Sequence, residues 1–418
     1  MSRILIRDGC VLTLGRTNHP RADVLIDGGR IEEIGPGLRA RDAQVIDADG
    51  AIVMPGFVDG HRHAWETLFR NLAENISADR FGPHYRPDDV YAGTLIGLLS
   101  AVDAGVTTVV DWCGAGGGLE HLEAARQAHE DSGLRTVLVH GAAPWVDGAW
   151  SDAIGWLASI HGPRLIGAAG PASGDDWAMA REAGLRIHAH AGSSPQDRGA
   201  ITALEAEGRL GPDVTLVHCS YADDADLNAI AGSGTSVVTT PSSEMAGGMG
   251  PPPLQRIIDR GIRPGLGAGT ELAGGSTDLF AQMRAAISVQ HATYFDLKLA
   301  GKAGLPRLLT TREVIRWATV DGARAVGVED VGTLEPGMHA DVIVLGAGAP
   351  NIHPVNDPIG AVVWGMDTSN VDWVLVGGEI VKGEGSLVED IGRARTLAIE
   401  AQRRVARAAG LVTVGGSS

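Results

Sequence analysis

Histidine recurs where apolar runs of strand length end. His61 and His63 close the run that starts at Ile52, and His188 and His190 close a second run. Side chains at positions i and i+2 of a strand project to the same side, so each pair can reach one ion together. Two or three imidazoles in one site favour zinc, iron, nickel or copper over magnesium or calcium.

Two further apolar runs end in His140 and His218. A single histidine after such a run is more often a hydrogen-bonded core residue than a ligand, and His140 taken alone fits that explanation. Histidine at four strand ends favours a shared site instead, provided that the four ends meet on one rim. The sequence therefore predicts a metal-binding or proton-transferring cluster of imidazoles.

The elements that would bring these ends together are eight short apolar runs separated by helical or loop segments. Segments 88–103, 119–132 and 222–231 have helical spacing. Near-continuous apolar strands that alternate with helices predict a parallel sheet buried on both faces, and eight such units favour a closed (β/α)8 TIM-like barrel of the α/β class. A doubly wound sheet is the alternative, but no GxGxxG or Walker loop follows any run. The runs are IVMPGFVDGHRH, GVTTVVDWC, RTVLVHGAA, RLIGAAG, LRIHAHAG, VTLVHCS, TSVVTTP and RPGLGAG.

Both ends of the chain have a different texture. Residues 3–38 and 332–388 contain short β-branched runs broken by Asp-Gly and Gly-Gly, which indicate hairpins. We therefore expect a small β-sandwich domain built from residues 1–54 and 332–390. The barrel would occupy 55–331, and a helical tail would occupy 391–418.

Composition restricts the class of partner. The chain of 418 residues is 44% hydrophobic and carries a formal net charge of −17, which argues against nucleic acid or an anionic membrane as partner. Its 3 cysteines are scattered and form no CxxC motif, so a disulfide framework is not expected. The first 15 residues show no long apolar stretch followed by a small-residue cleavage site, so a secretory leader is not expected, and no run of 18 apolar residues occurs. These features predict a cytoplasmic protein with a small-molecule substrate. We also expect a homo-oligomer, because proteins with the barrel fold predicted above often form dimers or larger assemblies.

Several stretches together resemble the amidohydrolase superfamily, in particular its cytosine-deaminase-like and chlorotriazine-hydrolase-like branch. They occur in the order and at the spacing of that family, over nearly the whole chain. The stretches are MPGFVDGHRH at 54–63, RIHAHAG at 186–192, LVHCS at 216–220, TTPSSEM at 239–245 and LEPGMHADVIVL at 334–345.

The resemblance implies one divalent transition metal, zinc first and iron as the alternative. His61, His63 and His190 would be its ligands, and His218 would contact the water or the substrate. The reaction implied is hydrolysis, in which the metal activates a water molecule for attack on an electrophilic ring or amide carbon. Carboxylates after strands five and eight would move the protons.

The chain departs from the family pattern at both of those carboxylates. Ser193 stands where the strand-five glutamate is expected, and Gly269 or Thr270 stands where the strand-eight motif has aspartate. Glu271 is the best available replacement as proton acceptor, since its longer side chain could offset a shifted backbone; Asp111 and Glu244 are the other rim carboxylates that could take this role. Loss of general-base assistance would reduce the rate by about 10²–10⁴.

Three functions therefore compete. The first is a metal-dependent hydrolase acting on C–N or C–halogen-like bonds of a small N-heterocycle or cyclic amide. The second is a lyase, dehydratase, isomerase or cyclase that uses the histidine cluster with or without metal. The third is a binding homologue whose site has lost its activity.

Other polar and aromatic residues near the predicted strand ends are candidates for the substrate pocket. Trp65 and Glu66 follow the first histidine pair, where a packed helix start is an equally good explanation. The long loop 76–87 contains His84 and Tyr85 and would be a lid. The remaining candidates for substrate contact are Asp111, His140, His188 and Glu244.

Overall fold

The computed structural model describes residues 3–72, 76–115, 117–141, 150–272 and 278–411. Within these ranges the strands form two sheets. The strands are β1 (Ile4–Val11), β2 (His19–Asp27), β3 (Arg30–Gly35), β4 (Gln44–Asp47), β5 (Ala51–Pro55), β6 (Phe57–Arg62), β7 (Val106–Cys113), β8 (Arg135–Gly141), β9 (Leu165–Gly170), β10 (Ile187–Ala191), β11 (Val214–His218), β12 (Ser236–Thr239), β13 (Gly265–Leu266), β14 (Val342–Gly346), β15 (Val371–Val376), β16 (Glu379–Gly383) and β17 (Ser386–Leu387).

Helices follow most of the barrel strands. They are α1 (Pro87–Asp103), α2 (Leu119–Ser132), α3 (Trp150–Ala158), α4 (Gly174–Glu182), α5 (Ala200–Ala206), α6 (Asp224–Ser233), α7 (Pro241–Ala246), α8 (Leu254–Asp259), α9 (Leu279–Leu299), α10 (Thr311–Trp317), α11 (Val320–Val326), α12 (Pro358–Gly360) and α13 (Ile391–Ala408). Short 3-10 helices cover Ala64–Phe69, Ala78–Arg80, Gly82–His84, Pro195–Asp197 and Thr368–Asn370, and a π-helical turn covers Ala361–Gly365.

Strands β6 to β13 form the barrel that the eight apolar runs predict. They pair in chain order, and every neighbouring pair is parallel. The loop after β13 closes the ring onto β6, because the Gly269 N–H donates to the His61 carbonyl at 2.8 Å and the His63 N–H donates to the Gly269 carbonyl at 3.3 Å. At the opposite end of the barrel, the Thr215 hydroxyl at the start of β11 donates to the carbonyl of Ala325 in α11, at 2.6 Å. The predicted α/β barrel class is confirmed.

The second sheet joins the two ends of the chain, as the hairpin patterns predict. Its strand order is β17-β16-β15-β14-β5-β1-β2-β3, and these strands form one continuous hydrogen-bonded path, while β4 lies off the path and pairs with β1. The chain passes from this sheet into the barrel between Pro55 and Phe57. The numbered domain boundaries proposed above stay a prediction.

Two contacts fix the barrel against its surroundings. Arg135 at the start of β8 pairs through two nitrogens with the buried Asp341 beside the second sheet, at 2.8 and 3.0 Å. The C-terminal helix α13 packs on α1, where Arg404 forms an ion pair with the buried Asp89. None of the helices in the described ranges is long and apolar enough to cross a bilayer.

Candidate metal and active site

Three imidazoles meet at the C-terminal mouth of the barrel. The Nε2 atom of His61 lies 3.1 Å from Nε2 of His63 and 3.1 Å from Nε2 of His190. Two nitrogens bound to one tetrahedral zinc ion at about 2.0–2.1 Å would stand about 3.3 Å apart. The ring of His61 is buried, whereas His190 is exposed at the mouth. The donor set and its spacing therefore fit a divalent transition metal.

Asp59 determines how the first pair of histidines enters the mouth. The pairing of β6 with β7 is irregular between Asp59 and Arg62, which changes the direction of this strand end. The buried Asp59 carboxylate accepts hydrogen bonds from Arg62 Nε at 2.7 Å and from the Ala268 N–H after β13 at 2.8 Å. A Cβ atom at Gly267 would lie 2.7 Å from the His61 nitrogen, so the two chain segments meet only because residue 267 is glycine.

His218 completes the cluster and has its own carboxylate partner. The group formed by His61, His190 and His218 has its ligand atoms within 4.8 Å of one another. Nδ1 of His218 lies 3.1 Å from Oε1 of the fully buried Glu244, and that oxygen also accepts from the Thr240 N–H at 2.9 Å. A carboxylate on one ring nitrogen holds the proton there, which leaves Nε2 free as a ligand or acceptor. His218 also has a left-handed φ of 81°, a strained conformation at the end of β11.

Glu66 is the carboxylate that reaches the histidines from the 3-10 helix Ala64–Phe69. Its Oε1 lies 3.9 Å from Nδ1 of His63, and the Thr270 hydroxyl donates to its Oε2. Burial raises the pKa of Glu66 to about 8, although the Thr270 hydrogen bond lowers it; the nearby Glu271 and Asp111 carboxylates raise it further. The side chain is 5% exposed. This residue was predicted from the sequence as a pocket residue only.

Glu271, predicted as the proton acceptor, lies in an ion network beside the first strand. Its Oε1 accepts from the Thr67 hydroxyl at 3.2 Å and from Arg62 Nη1 at 3.4 Å, and Arg70 lies 3.7 Å from its other oxygen. Arg62 is also bound to Asp59, in an ion pair of two buried side chains. The carboxylate of Glu271 is thus neutralised by arginine. Its catalytic role stays a prediction that these contacts do not support.

The two positions where the family has carboxylates are occupied by Ser193 and Gly269 in this chain. The Ser193 hydroxyl donates to Asp197 Oδ2 at 3.1 Å, so a carboxylate lies one hydrogen bond behind the strand-five position. Gly269 has a left-handed φ of 76°, and a Cβ there would lie 2.7 Å from Ser243. A side chain at residue 269 is therefore excluded both by backbone conformation and by lack of space.

Three of the predicted pocket residues are buried, and two of them bind buried partners, whereas neither ring nitrogen of His188 has a hydrogen-bond partner among the described residues. Asp111 binds the Ala64 N–H and the ring of His129. His140 lies 3.3 Å from the Cys113 carbonyl through Nδ1, and burial lowers its pKa. His188 is fully buried, and burial, followed by the charge of Arg186, lowers its pKa to about 3. Their roles as substrate contacts stay predictions.

The aromatic residues predicted for the pocket and its lid pack on one another. Trp65 stands edge-on to Tyr85 with 5.3 Å between ring centroids, and Phe81 packs beside both rings. The Tyr85 hydroxyl donates to the Trp65 carbonyl at 3.0 Å, which ties the segment 81–85 to the helix that carries Glu66. His84 is exposed at the end of its short helix. Movement of this segment as a lid stays a prediction.

Trp112 was missed by the sequence analysis and is the aromatic residue next to the cluster. Its indole centroid lies 4.2 Å from that of His190 and 6.0 Å from that of His61. Cβ atoms at Gly141 and Gly170 would lie 2.2 and 2.6 Å from the indole, so glycines at the ends of β8 and β9 leave the space that it fills. The available signal was the pair of glycines that end the third and fourth apolar runs. We missed it because glycine at a strand end is common.

An eight-stranded α/β barrel with imidazoles converging on its C-terminal rim defines the class of barrel enzymes with a metal-binding mouth. The Amidohydrolase family model matches residues 52–381, and the chain belongs to that family. Membership confirms the resemblance and places the chain among hydrolases of carbon–nitrogen bonds other than peptide bonds.

Relatives that match over most of their length are named as deaminases. The 5'-deoxyadenosine deaminase of Methanosarcina mazei is 29% identical, with 91% of this chain and 93% of the relative covered. The 5-methylthioadenosine/S-adenosylhomocysteine deaminase of Pelotomaculum thermopropionicum is 28% identical, with 97% and 99% covered.

Solved structures share the fold at lower sequence identity. The adenosine deaminase from Xanthomonas campestris with bound zinc has a TM-score of 0.85 at 20% identity, covering 97% of this chain and 98% of its own. The zinc complex of atrazine chlorohydrolase from Arthrobacter aurescens TC1 has a TM-score of 0.85 at 22% identity, covering 96% and 100%.

Proposed function

We propose that this protein is a mononuclear metal-dependent hydrolase that displaces an amino or comparable leaving group from a ring carbon of a small N-heterocycle. The observation that carries the proposal is the convergence of the Nε2 atoms of His61, His63 and His190 at the barrel mouth. We propose zinc as the ion, with iron as the alternative, because imidazole donors suit both.

His61, His63 and His190 would hold the ion. Such an ion would act as a Lewis acid and lower the pKa of a water molecule toward neutrality. His218 would then orient the water or the substrate through Nε2, because Glu244 engages its Nδ1. Glu244 is therefore a positioning residue in this proposal, and its own Oε1 is fixed by the Thr240 N–H.

Glu66 is the carboxylate that we propose for proton transfer, in place of Glu271. Its Oε1 lies 3.9 Å from Nδ1 of His63, the ring nitrogen other than the Nε2 atom that faces the cluster, whereas the Glu271 carboxylate accepts hydrogen bonds from Arg62 and Thr67. A carboxyl group whose pKa is raised to about 8 is largely protonated at neutral pH, so Glu66, fixed by the Thr270 hydroxyl, can give its proton to the leaving nitrogen and, once ionised, take one from the attacking water. This places the proton acceptor after strand one of the barrel and not after strand eight.

The relatives' names support amino-substituted purine nucleosides as the first substrates to test. A neutral heterocycle also suits the mouth, because an anion would lie near the buried carboxylate of Glu244. Trp112 beside His190 offers an aromatic wall for a planar ring. Activity assays with nucleosides, free bases and triazines identify which of these substrate classes the protein accepts.

Metal analysis and turnover of one preparation test the proposal. Protein purified without chelator is expected to contain about one equivalent of zinc or iron per chain. It should also release ammonia from adenosine, 5'-deoxyadenosine or 5-methylthioadenosine, and lose that activity when a chelator removes the metal. Below about 0.2 equivalents of any transition metal, with ammonia release unaffected by chelation, the proposal is wrong.

A non-hydrolytic reaction is the second candidate, and one observation favours it. The strand-five and strand-eight positions hold Ser193 and Gly269, neither of which can act as a carboxylate base. Transfer of ¹⁸O from labelled water into the product separates the candidates. Hydrolysis incorporates the label at the substituted carbon, whereas an isomerase, cyclase or lyase reaction leaves the product unlabelled.

A further inference from the structure

The carboxylate of Asp111 joins the histidine loop to a helix on the outside of the barrel. Its Oδ1 accepts from the Ala64 N–H at 2.7 Å, and its Oδ2 lies 2.9 Å from Nε2 of His129 in α2. Nδ1 of His129 lies 3.1 Å from the Thr136 hydroxyl in β8. The side chains of Asp111 and His129 are each 1% exposed. The Thr136 hydroxyl, the His129 ring and the Asp111 carboxylate thus form a chain of polar contacts. The chain ends at the backbone N–H of Ala64, the residue after His63.

The position of Ala64 makes this chain of contacts relevant to the site. Ala64 begins the 3-10 helix Ala64–Phe69, which carries Glu66, and His63 before it makes no side-chain cap. The first N–H groups of a helix have no partner within the helix, and a carboxylate there is favoured by the helix dipole as well as by the hydrogen bond. Asp111 therefore supplies the cap that His63 cannot supply while its ring faces the other histidines.

The two oxygens of Asp111 act in different directions, and this makes the arrangement rigid. One oxygen holds the start of the helix, while the other is held by an imidazole whose far nitrogen is itself bound to β8. A buried network in which every member has a partner restricts the rotamers of all of them. In the parallel register of β6 and β7, Asp111 stands opposite Arg62. Asp111 therefore lies on the strand next to β6, the strand that leads into His61 and His63.

We propose that Asp111 and His129 are positioning residues that hold His63 at the metal and Glu66 in the mouth by fixing the Ala64 N–H. This inference rests on the proposed function, because it concerns the geometry of the same metal site. Asp111 contacts neither metal nor substrate in this proposal. It differs from the sequence-based prediction that Asp111 binds substrate.

The first test compares Asp111→Ala with Asp111→Asn by competition for zinc against a chromophoric chelator. The asparagine oxygen can still accept from the Ala64 N–H, and its amide nitrogen can contact the His129 ring, so Asp111→Asn should keep zinc affinity within about three-fold of wild type. Asp111→Ala should weaken zinc affinity by about 10–100-fold, the range typical of lost partners behind metal ligands. Wild-type zinc affinity in a folded Asp111→Ala protein overturns the proposal.

A matched control separates positioning from general destabilisation. Asp341→Ala removes another buried aspartate, the partner of Arg135 at the junction of the barrel and the second sheet. It is expected to lower the melting temperature and to leave zinc affinity unchanged. If Asp111→Ala does not fold, His129→Ala takes its place and should weaken zinc binding more than Asp341→Ala does; equal affinities in the two variants overturn the proposal.

Hydrogen–deuterium exchange of metal-free protein makes the inference testable apart from the proposed function. A peptide that covers residues 64–69 should exchange about ten-fold faster in His129→Ala than in wild type, because opening of the helix start becomes easier. Unchanged exchange overturns the positioning role even if the protein binds zinc. Faster exchange in a protein that binds no metal instead supports the positioning role and contradicts the proposed function.

Discussion

Thr270 donates a hydrogen bond from its hydroxyl to Oε2 of Glu66, across the seam where the loop after β13 meets the helix after β6. The contact holds the buried Glu66 carboxylate beside His63. This carboxylate comes from the helix after β6, whereas the family pattern has an aspartate in the loop after β13. Glu271, only one residue from Thr270, lies instead against Arg62 and Thr67. Substitution of each glutamate in turn can therefore distinguish the roles of Glu66 and Glu271.

Glu66→Gln should lower kcat by about 10²–10⁴ with little change in metal content, because the amide keeps the size and the Thr270 contact but cannot take a proton. Glu271→Gln should mainly lower the melting temperature, since it leaves the buried Arg62 with one carboxylate partner fewer. Steady-state kinetics on metal-loaded protein, with a thermal melt of each variant, check both. A larger loss of kcat in Glu271→Gln than in Glu66→Gln would return the catalytic role to Glu271.

His190→Asn should reduce bound metal to less than about one tenth of an equivalent, because the variant loses one of three imidazole ligands. His84→Asn, at an exposed position, is the control and should keep the full equivalent. Elemental analysis of both proteins, purified in parallel without chelator, makes the comparison. Full metal content in His190→Asn would exclude that residue as a ligand.

Gly141→Ala should lower stability by about 1–3 kcal/mol and reduce kcat/KM, because the new methyl group overlaps the indole of Trp112 and displaces it toward His190. In a Trp112→Ala background the same substitution should cost little, since the clash is absent. Urea unfolding and kinetics of the two single variants and the double variant measure the coupling. Additive effects would show that Trp112 and Gly141 do not restrict each other.

The stability of the metal-free protein should fall as the pH decreases from 7.5 to 5.5, in part because of His140. Burial lowers the pKa of His140 in the folded state, so below about 6.5 the unfolded chain binds more protons at this residue than the folded chain does. His140→Phe keeps a ring to stack on Trp150 and should make that fall in stability measurably smaller. Urea unfolding at both pH values measures it, with His84→Phe as the exposed control. An identical fall in wild type and His140→Phe would mean that His140 keeps an ordinary pKa.

Much of the fold was readable from local pattern. Apolar runs near Val58, Val110 and Val137 have the length and composition of buried parallel strands, and each of them lies in the barrel sheet. The histidines at 61, 63 and 190 were identifiable because strand periodicity and the family motif agree on them. Trp112 was not, since its importance depends on two glycines on other strands, 29 and 58 residues further along the chain.

The sequence by itself determined the family, the barrel and the histidines that converge at the barrel mouth, because strand periodicity and chain order decide which residues reach the rim. Only the tertiary structure showed which partners each nearby carboxylate has. Glu66, Glu271, Asp111 and Glu244 are all acidic residues near strand ends, and nothing local distinguishes them. Their partners do: arginine neutralises Glu271, His129 and Ala64 hold Asp111, and His218 holds Glu244. Those partners lie up to 209 residues away along the chain, so the choice among four carboxylates depends on long-range packing.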